Sequence, residues 1–318
     1  MNCVFLDRKT FVNQVLTINI EHQVTHFKAY DLTREDQIIE RCKNANIIIT
    51  NKVLLSETTL AKLPKLRLIC IAATGVNNID LNAAKRLGIA VTNVSGYSTP
   101  SVSQYVFAQL LAYFSRPIAH QKVVEQGEWQ KSPSFCVHGL GSEELAGKHI
   151  AIIGYGNLGR AVATIAHAFG MKVLIAERPK ITKIREGRIA FETALQQADI
   201  VSLHCPLTED TDQLFDHHAF SLMKPTAVLV NTARGGVINE TDLLQALTQK
   251  KIAYAILDVL NQEPPTPDHP LLTQQPTNLK ITAHIAWASN ESQQRLLDLI
   301  ALNIADYTDG KNTNRVEG

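Results

Sequence analysis

The sequence lacks the segments that would place it in a membrane or send it through one. It has no apolar run long enough to cross a bilayer, and its start, MNCVFLDRK, carries charges where a secretion signal needs an apolar stretch. It also has no low-complexity segment and no internal repeat. We therefore expect a cytoplasmic protein that is neither a repeat array nor membrane-bound.

Cysteine and excess charge are both scarce. The five cysteines are scattered and form no CxxC pair, so the sequence indicates neither a disulfide framework nor a metal site. Lysine and arginine number 31 against 30 aspartates and glutamates, and no polybasic run is present. Neither nucleic acid nor a membrane surface is favoured as a partner.

What is present is an alternation of short β-branched runs with longer helical patterns. A length of 318 residues suits two domains. One series of runs comprises CVFL (3–6), NIIIT (46–50), LRLICIA (66–72) and IAVTN (89–93), and a second series begins near residue 148 with KHIAIIG, MKVLIAE, ADIVSLH, AVLVNT, IAYAILD and LKITAH. Continuous apolar strands separated by helices predict parallel α/β sheets.

The segment between the two series predicts one long helix and one loop. TPSVSQYVFAQLLAYF (99–114) is apolar and helical in pattern, with Thr99 placed to cap it and Pro100 in its first turn. Residues 116–147 are expected to be irregular, with Trp129 in a loop. Residues 291–310 predict a final helix, which we expect to complete the first domain.

A glycine-rich turn predicts a dinucleotide site. Gly154, Gly156 and Gly159 form GxGxxG between an apolar strand and an alanine-rich helix. In such a turn the first glycine permits the bend, the second lets the backbone approach a pyrophosphate and the third lets the helix pack on the strand. The amides of Asn157 and Leu158 open the helix, whose positive end favours phosphate.

An acidic residue follows at the expected distance. Glu177 ends the next strand about twenty residues further on, where a carboxylate accepts hydrogen bonds from the ribose hydroxyls of NAD and repels the 2′-phosphate of NADP. Arg178, its neighbour, could instead attract that phosphate. The sequence favours NAD and leaves NADP open.

Polar residues also follow the last three strands. Arg234 lies in a Gly-rich turn, Asp258 and Glu263 follow the next strand, and His284 ends the last one. A lone histidine there would usually be structural. However, ligands bind beyond the carboxyl ends of parallel strands, so these side chains are expected at the edge that carries the glycine turn.

Their chemistry predicts a reaction on a 2-oxo acid. A histidine can donate a proton to a carbonyl and take it back from an alcohol, and a carboxylate beside it fixes its tautomer and favours its charged form. An arginine can grip a carboxylate and polarise the adjacent carbonyl. We therefore expect Arg234, Glu263 and His284 to be catalytic, with the cofactor carrying the redox step.

With these residues, the sequence resembles the NAD-dependent D-2-hydroxyacid dehydrogenase family over nearly its whole length. The matching motifs are ATGVNNID (73–80), GYSTPSVSQYVFA (96–108), GYGNLGRAVA (154–163), LHCPLTEDT (203–211), NTARGGVINE (231–240), LDVLNQEPP (257–265) and HIAWAS (284–289). ATGVNNID, GYSTPSVSQ and HIAWAS are most similar to the glycerate dehydrogenase, or hydroxypyruvate reductase, branch.

The resemblance implies an architecture. It implies two Rossmann-like, doubly wound parallel-sheet α/β domains, with the cofactor domain (100–285) inserted in a flavodoxin-like substrate domain (1–99 plus 286–318). It also implies a homodimer formed chiefly through the cofactor domain, to which the helix at 99–114 contributes.

The resemblance further implies residue roles. Arg234 would hold the substrate carboxylate and carbonyl, with Glu263 the partner of the acid/base His284. The backbone amides of Thr74, Gly75 and Val76 would help to hold the carboxylate. The remaining implied contacts are with the cofactor: His204, Cys205, Pro206 and Thr211 along the adenosine side, Thr232 and Ala233 beside Arg234, and Asp258 at the nicotinamide carboxamide.

Three positions and three functional alternatives stay open. Ala283 and Tyr105 depart from the family's common residues, and Trp287 suits either the glycerate branch or a core position. The expected activity is reduction of hydroxypyruvate, and of glyoxylate, with NADH. The alternatives are the same chemistry on another 2-oxo acid, formate oxidation, or a dinucleotide-sensing protein similar to the transcriptional corepressors built on this fold.

Overall fold

A computed structural model describes residues 1–12, 16–139, 141–181 and 183–316. The strands are β1 (Asn2–Phe5), β2 (His26–Ala29), β3 (Ile47–Thr50), β4 (Leu68–Ile71), β5 (Ala90–Thr92), β6 (His149–Ile153), β7 (Lys172–Ile175), β8 (Ile200–Leu203), β9 (Val228–Asn231), β10 (Tyr254–Leu257) and β11 (Leu279–Ile281). The helices are α1 (Glu35–Cys42), α2 (Glu57–Leu60), α3 (Leu81–Arg86), α4 (Thr99–Ser115), α5 (Pro117–Glu125), α6 (Glu128–Lys131), α7 (Asn157–Ala168), α8 (Phe191–Gln197), α9 (His217–Leu222), α10 (Glu240–Thr248), α11 (Pro270–Thr273) and α12 (Asn290–Thr308). Within the described ranges, no helix combines the length and the apolar character needed to cross a membrane.

The chain divides into two compact units. Unit 1 comprises Met1–Ser98 and Trp287–Gly318, and unit 2 comprises Thr99–Ala286. Unit 1 is therefore discontinuous, and the whole of unit 2 is inserted into it.

Unit 1 is built on a five-stranded parallel sheet. Its strand order is β2-β1-β3-β4-β5, the flavodoxin-like order of a doubly wound sheet. The strands β3 and β4 are buried throughout, as expected of strands covered on both faces. The helix α12 covers one face with four fully buried residues, Leu296, Leu297, Ile300 and Ile304.

Unit 2 is built on a six-stranded parallel sheet of order β7-β6-β8-β9-β10-β11. Beyond β7, Ile189 makes a single parallel bridge to Ala176. That bridge occupies the place of the missing third strand, so the order corresponds to the 3-2-1-4-5-6 order of dinucleotide-binding folds, with β11 added beyond the sixth strand. The predicted fold class of two doubly wound parallel α/β domains is confirmed.

The structure differs from the predictions made from the sequence at two places. The strand β2 was not expected, because its four residues are exposed and make no apolar run. The prediction that residues 116–147 are irregular is wrong in its first half, since α5 and α6 lie there and α6 contains Trp129. Pro117 and Gly127, which look like helix breakers, occupy the start of each helix, where they are tolerated. Leu140 lies outside the described residues.

Candidate active site

The last three strands of unit 2 bring the predicted catalytic residues to one edge of its sheet. β9, β10 and β11 are parallel, paired in register and end at the same level. Arg234 lies in the turn after β9, Asp258 and Glu263 lie after β10, and His284 lies after β11. The carboxyl-end rule used on the sequence therefore gathers these side chains as expected.

His284 and Glu263 form a close pair. The Nδ1 atom of His284 lies 2.7 Å from Oε2 of Glu263. The other carboxylate oxygen of Glu263 accepts a hydrogen bond from the amide of Leu260 at 3.0 Å, which fixes the carboxylate. About one third of each side chain is exposed (31% and 33%), so the pair is held by the protein and still open to a ligand. A neutral His284 that donates its Nδ1 proton to Glu263 keeps a lone pair on Nε2.

Asp258 holds the turn that carries His284. Its carboxylate accepts hydrogen bonds from the Thr282 hydroxyl (2.6 Å) and from the amides of Ile285 (3.0 Å) and Ala286 (2.8 Å). Its carbonyl accepts the His284 amide at 2.8 Å. Asp258 is 2% exposed, so a charge that is costly to bury is stabilised by several donors at once. The backbone of His284 has a φ of 52°, a left-handed conformation that these bonds maintain.

Two residues of α4 brace the same turn, and the sequence did not single out this role. The Tyr105 hydroxyl lies 2.5 Å from Oγ1 of Thr282, and the Ser101 hydroxyl donates to the carbonyl of Ala286 at 2.7 Å. Burial raises the pKa of the Tyr105 phenol, which therefore stays protonated. The departure at Tyr105 is thus part of the support for His284.

The Arg234 turn is shaped by its neighbours. The side chain of Asn231 accepts the amide of Ala233 (3.0 Å) and donates to the carbonyl of Arg234 (2.9 Å). A Cβ atom on Gly235 would lie 1.9 Å from the carbonyl carbon of Leu260, so only glycine lets the two loops meet. The guanidinium of Arg234 donates to the carbonyl of Ala233 at 2.7 Å.

The glycine turn after β6 has two glycines that the protein itself requires and one that it does not. Gly154 has a φ of 97°, and a Cβ there would lie 2.6 Å from the amide nitrogen of Cys205. A Cβ on Gly159 would lie 2.1 Å from the carbonyl oxygen of Gly154. Around Gly156, apart from its two chain neighbours, no atom of the described chain lies within 4 Å of an added Cβ. The open space at Gly156, before the start of α7 at Asn157, is where a pyrophosphate can approach.

A cavity of about 680 Å³ in unit 2 adjoins this turn. Its volume is that of a cofactor site. Eight of the residues predicted to bind the cofactor line it: Gly154, Gly156, Glu177, Arg178, His204, Cys205, Pro206 and Thr211. Asn157, Leu158, Gly159, Thr232, Ala233, Asp258 and His284 do not belong to its lining.

Two buried polar atoms fit a bound ligand. Nδ1 of His204 and Oγ1 of Thr232 have no hydrogen-bond partner among the described residues. The other nitrogen of His204 lies 2.9 Å from the Ser202 hydroxyl. Burial lowers the pKa of His204 to about 3, so the ring is neutral. A buried polar atom without a partner costs free energy, which a bound cofactor with polar groups can recover.

Glu177 lies on the cavity wall, but its carboxylate is already engaged. Oε2 accepts a hydrogen bond from Nε of Arg185 at 2.6 Å, and Oε1 accepts one from the amide of Arg178 at 2.8 Å and a second from Arg185. Nη1 of Arg188 lies 3.7 Å from Oε1. The hydrogen bonds from Arg185 are the main reason that the pKa of Glu177 falls to about 2.

The loop after β4 in unit 1 carries the remaining predicted substrate residues. The Thr74 hydroxyl donates to the carbonyl of Val94 at 2.9 Å, and the Asn93 side chain donates to the carbonyl of Thr74 at 2.7 Å. The amides of Gly75 and Val76 meet no acceptor in the described part of the chain. Two consecutive unpaired amides are suited to a carboxylate.

Trp287 is part of the core of unit 1. Its ring makes edge contacts with Phe11 (centroids 6.1 Å apart) and Tyr97 (6.2 Å). Of the two possibilities left open by the sequence, these contacts support the core position.

Comparisons with known proteins show which family the chain is similar to. Residues 107–286 match the family model described as the NAD-binding domain of D-isomer specific 2-hydroxyacid dehydrogenases. The chain is 41% identical to a putative 2-hydroxyacid dehydrogenase of Haemophilus influenzae, covering 96% of this chain and 98% of the relative. It is 39% identical to the glycerate dehydrogenase of Methylorubrum extorquens, covering 99% and 98%. A crystal structure of D-lactate dehydrogenase from Aquifex aeolicus, complexed with NAD and lactic acid, is similar with a TM-score of 0.80 and 27% identity over 100% of this chain and 99% of that one.

Proposed function

Because the chain belongs to the D-isomer specific 2-hydroxyacid dehydrogenase family, we propose that it reduces hydroxypyruvate to D-glycerate with NADH, and glyoxylate to glycolate as a side reaction. The observation that carries this proposal is the His284–Glu263 pair, 2.7 Å apart, at the same sheet edge as Arg234. The similarity to glycerate dehydrogenase over nearly the whole chain supports the choice of substrate.

In the proposed reaction, His284 is the proton donor and Arg234 holds the acid. The imidazolium of His284 gives its Nε2 proton to the carbonyl oxygen that becomes the hydroxyl, while Glu263 keeps the ring oriented through Nδ1. The guanidinium of Arg234 pairs with the substrate carboxylate and polarises the carbonyl next to it. The amides of Thr74, Gly75 and Val76 supply further donors to the carboxylate. The bound nicotinamide supplies the hydride.

The residues around the cavity fit a dinucleotide. We assign the turn at Gly154, Gly156 and Gly159, with the amides of Asn157 and Leu158, to the pyrophosphate. His204, Cys205, Pro206 and Thr211 border the adenosine side. Outside the lining of this cavity, we assign Thr232 and Ala233, which precede Arg234, to the cofactor, and Asp258 to the nicotinamide carboxamide in addition to its role in holding the His284 turn.

The proposal extends to the roles of the two units. The cofactor domain is assigned to residues 100–285 and the substrate domain to 1–99 plus 286–318, close to the two compact units. A homodimer formed through the cofactor domain and α4, and a cytoplasmic location, complete the proposal.

The test is a substrate panel. We would follow NADH oxidation by the purified protein with hydroxypyruvate, glyoxylate, pyruvate and longer 2-oxo acids. A clear preference for hydroxypyruvate is expected. A preference for another 2-oxo acid would keep the chemistry and reject the substrate. Tight NADH binding without turnover on any acid would reject the enzyme and favour a dinucleotide sensor. Size-exclusion chromatography with light scattering tests the dimer.

A further inference from the structure

A second histidine–glutamate pair is linked to the His284–Glu263 pair. The Nε2 atom of His269 lies 3.1 Å from Oε2 of Glu240. The His269 side chain is 9% exposed and that of Glu240 is 20% exposed, so this pair is more deeply buried than the first. The proposed reaction gives it no role.

The two pairs hold the same short stretch of the loop after β10. Oε1 of Glu263 accepts the amide of Leu260 at 3.0 Å, and Oε1 of Glu240 accepts the amide of the next residue, Asn261, at 2.9 Å. Each glutamate thus uses one carboxylate oxygen to hold the loop, while the other faces a histidine nitrogen. The two pairs are therefore connected through the backbone on either side of a single residue, Leu260.

This stretch of the loop depends on its neighbours for its position. Residues 258–263 form neither a helix nor a strand. Gly235 packs against the carbonyl carbon of Leu260, so the loop cannot move towards that glycine. Glu240, in contrast, is the first residue of the helix α10, where the helix dipole favours its negative charge. The bond from Asn261 therefore ties an irregular loop to a regular element.

His269 holds the carboxylate of Glu240 from the other side. It precedes the helix α11, and its carbonyl accepts the amides of Leu272 (2.9 Å) and Thr273 (3.0 Å). Its Nδ1 atom has no hydrogen-bond partner among the described residues, so hydrogen bonding orients the ring through Nε2. A carboxylate that is held at both oxygens presents a fixed acceptor to the loop.

We propose that Glu240 and His269 are positioning residues for His284. They hold the loop that fixes Glu263, and through it they keep the Glu263 carboxylate against Nδ1 of His284. The inference rests on the proposed function in that His284 is the proton donor. The pair matters for the rate because a displacement of about 1 Å at a reacting group can cost about two orders of magnitude.

The first test is a comparison of kcat with KM in variants of Glu240. Glu240→Ala should lower kcat for hydroxypyruvate about tenfold, because the proton donor loses its alignment. The KM should change by less than about twofold, since the Arg234 turn is fixed separately by Asn231. Glu240→Gln restores an acceptor for the Asn261 amide and should return kcat to within about threefold of the wild type. An unchanged kcat in Glu240→Ala, or a rise in KM alone, would overturn the proposal.

A third glutamate–histidine pair of unit 2 supplies the matched control. Glu192 lies in the first turn of α8, 3.9 Å from His218, and both side chains are 68% exposed. Glu192→Ala should leave kcat and KM unchanged. An equal loss of kcat in Glu192→Ala and Glu240→Ala would reject a specific role for Glu240.

A double variant tests whether Glu240 and His269 act as a unit. His269→Ala should lower kcat less than Glu240→Ala does, because the carboxylate that holds the loop is still present. The double variant should be no slower than Glu240→Ala, since His269 acts through Glu240. Losses that multiply in the double variant would reject the pairing.

A spectroscopic test reports on the His284–Glu263 contact without turnover. In protein with ¹³C-labelled histidine rings, the signal of His284 is identified by its absence in His284→Ala. Glu263→Gln shows where this signal lies when the charged partner is lost. Glu240→Ala should move the signal towards that position, whereas Glu240→Gln and Glu192→Ala should leave it in place. An unmoved signal in Glu240→Ala would mean that Glu240 has a merely structural role.

The two tests separate this inference from the proposed function. A protein that reduces no 2-oxo acid would reject the proposed reaction, and the ring signal of His284 would still decide whether Glu240 positions the pair. Reduction of hydroxypyruvate, with kcat and the ring signal both unmoved in Glu240→Ala, would reject the inference alone.

Discussion

The two sheets of this molecule differ at the same topological point, the crevice where the strand order reverses. Each is a doubly wound parallel sheet with a crevice where the strand order reverses, between β1 and β3 in unit 1 and between β6 and β8 in unit 2. In unit 1 Asp7 follows β1, and its carboxylate accepts the amides of Asn51 (2.9 Å) and Lys52 (2.7 Å) after β3. In unit 2 the corresponding loops carry Gly154 and His204, and a cavity of about 680 Å³ lies beside them.

The difference shows how one fold can be closed or open to ligands. Asp7 is 3% exposed, and burial raises the pKa of its carboxyl. Because its carboxylate accepts the amides at the end of β3, it occupies the position that a bound anion takes in a binding site. In unit 2 the glycine turn supplies no such side chain, and Nδ1 of His204 keeps no partner among the described residues. A doubly wound sheet therefore binds a ligand at its switch point only where its own side chains leave the crevice free.

The largest expected effect concerns His284, at the carboxyl edge of the unit 2 sheet. His284→Ala should lower turnover by about two to four orders of magnitude, because the proton donor is lost, while NADH binding is kept. Stopped-flow assays and nicotinamide fluorescence would measure the two. His167, an exposed histidine of α7, provides the matched control His167→Ala. Unchanged turnover in His284→Ala would remove the functional contrast between the two edges.

The next prediction distinguishes two glycines, Gly154 and Gly156, in the turn after β6 of unit 2. Gly154→Ala should lower the free energy of unfolding by about 1–3 kcal/mol, since it combines a positive φ with a clash against the Cys205 amide. Gly156→Ala should change it by less than about 0.5 kcal/mol. Gly156→Ala should nevertheless weaken dinucleotide binding, because its Cβ enters the space left for the pyrophosphate. Denaturant unfolding and cofactor titration test both, and unimpaired binding in Gly156→Ala would argue against that use of the turn.

A smaller effect is expected at Asp7, whose side chain fills the crevice of the unit 1 sheet. Asp7→Asn should lower the free energy of unfolding by about 1–2 kcal/mol, because an amide presents only one acceptor atom to the Asn51 and Lys52 amides. Turnover should be unchanged, since Asp7 serves the structure of unit 1. Urea unfolding and steady-state kinetics measure the two quantities. Loss of activity in a stably folded Asp7→Asn variant would mean that the filled crevice also has a functional role.

The smallest effect is a pH dependence at Glu177. Its pKa in the folded protein is about 2, against an ordinary 4.5, so the folded state favours the charged form. The stabilisation is complete above pH 4.5 and is lost as pH falls from 4.5 towards 2. The stability difference between the wild type and Glu177→Gln should therefore shrink over this window in acid unfolding followed by circular dichroism. Glu186→Gln, an exposed acid of the same connection, is the control. A difference that stays constant down to pH 2 would contradict the pairing with Arg185.

The sequence sufficed for the sheets because their strands are buried on both faces. Runs such as Ile47–Thr50 and Leu68–Ile71 are apolar or β-branched throughout and cannot be mistaken for loops. The edge strand His26–Ala29 has no buried residue, so it leaves no such pattern. After β7 the third strand is reduced to the single bridge at Ile189, so this connection offered no strand to predict.

Of the candidate site, the strand-end residues were predictable and their partners were not. His284 and Glu263 follow from the rule that ligands bind at carboxyl ends, and their pairing is seen. The hydrogen bond from Arg185 to Glu177 joins residues eight positions apart, and the sequence between them has no periodicity from which a contact could be inferred. The bond from Tyr105 to Thr282 joins residues 177 positions apart, and only the packed structure brings them together.

The insertion of unit 2 into unit 1 also determines the order in which the protein can be made. Residues 99–286 form a continuous stretch that can fold as soon as it leaves the ribosome. The sheet of residues 1–98 has to wait, because the helix α12 that buries one of its faces is synthesised only after the whole of unit 2. The part of unit 1 that is synthesised first is therefore completed last. Until α12 emerges, the apolar face of its sheet stays uncovered, and this face is the part of the nascent protein that most needs a chaperone.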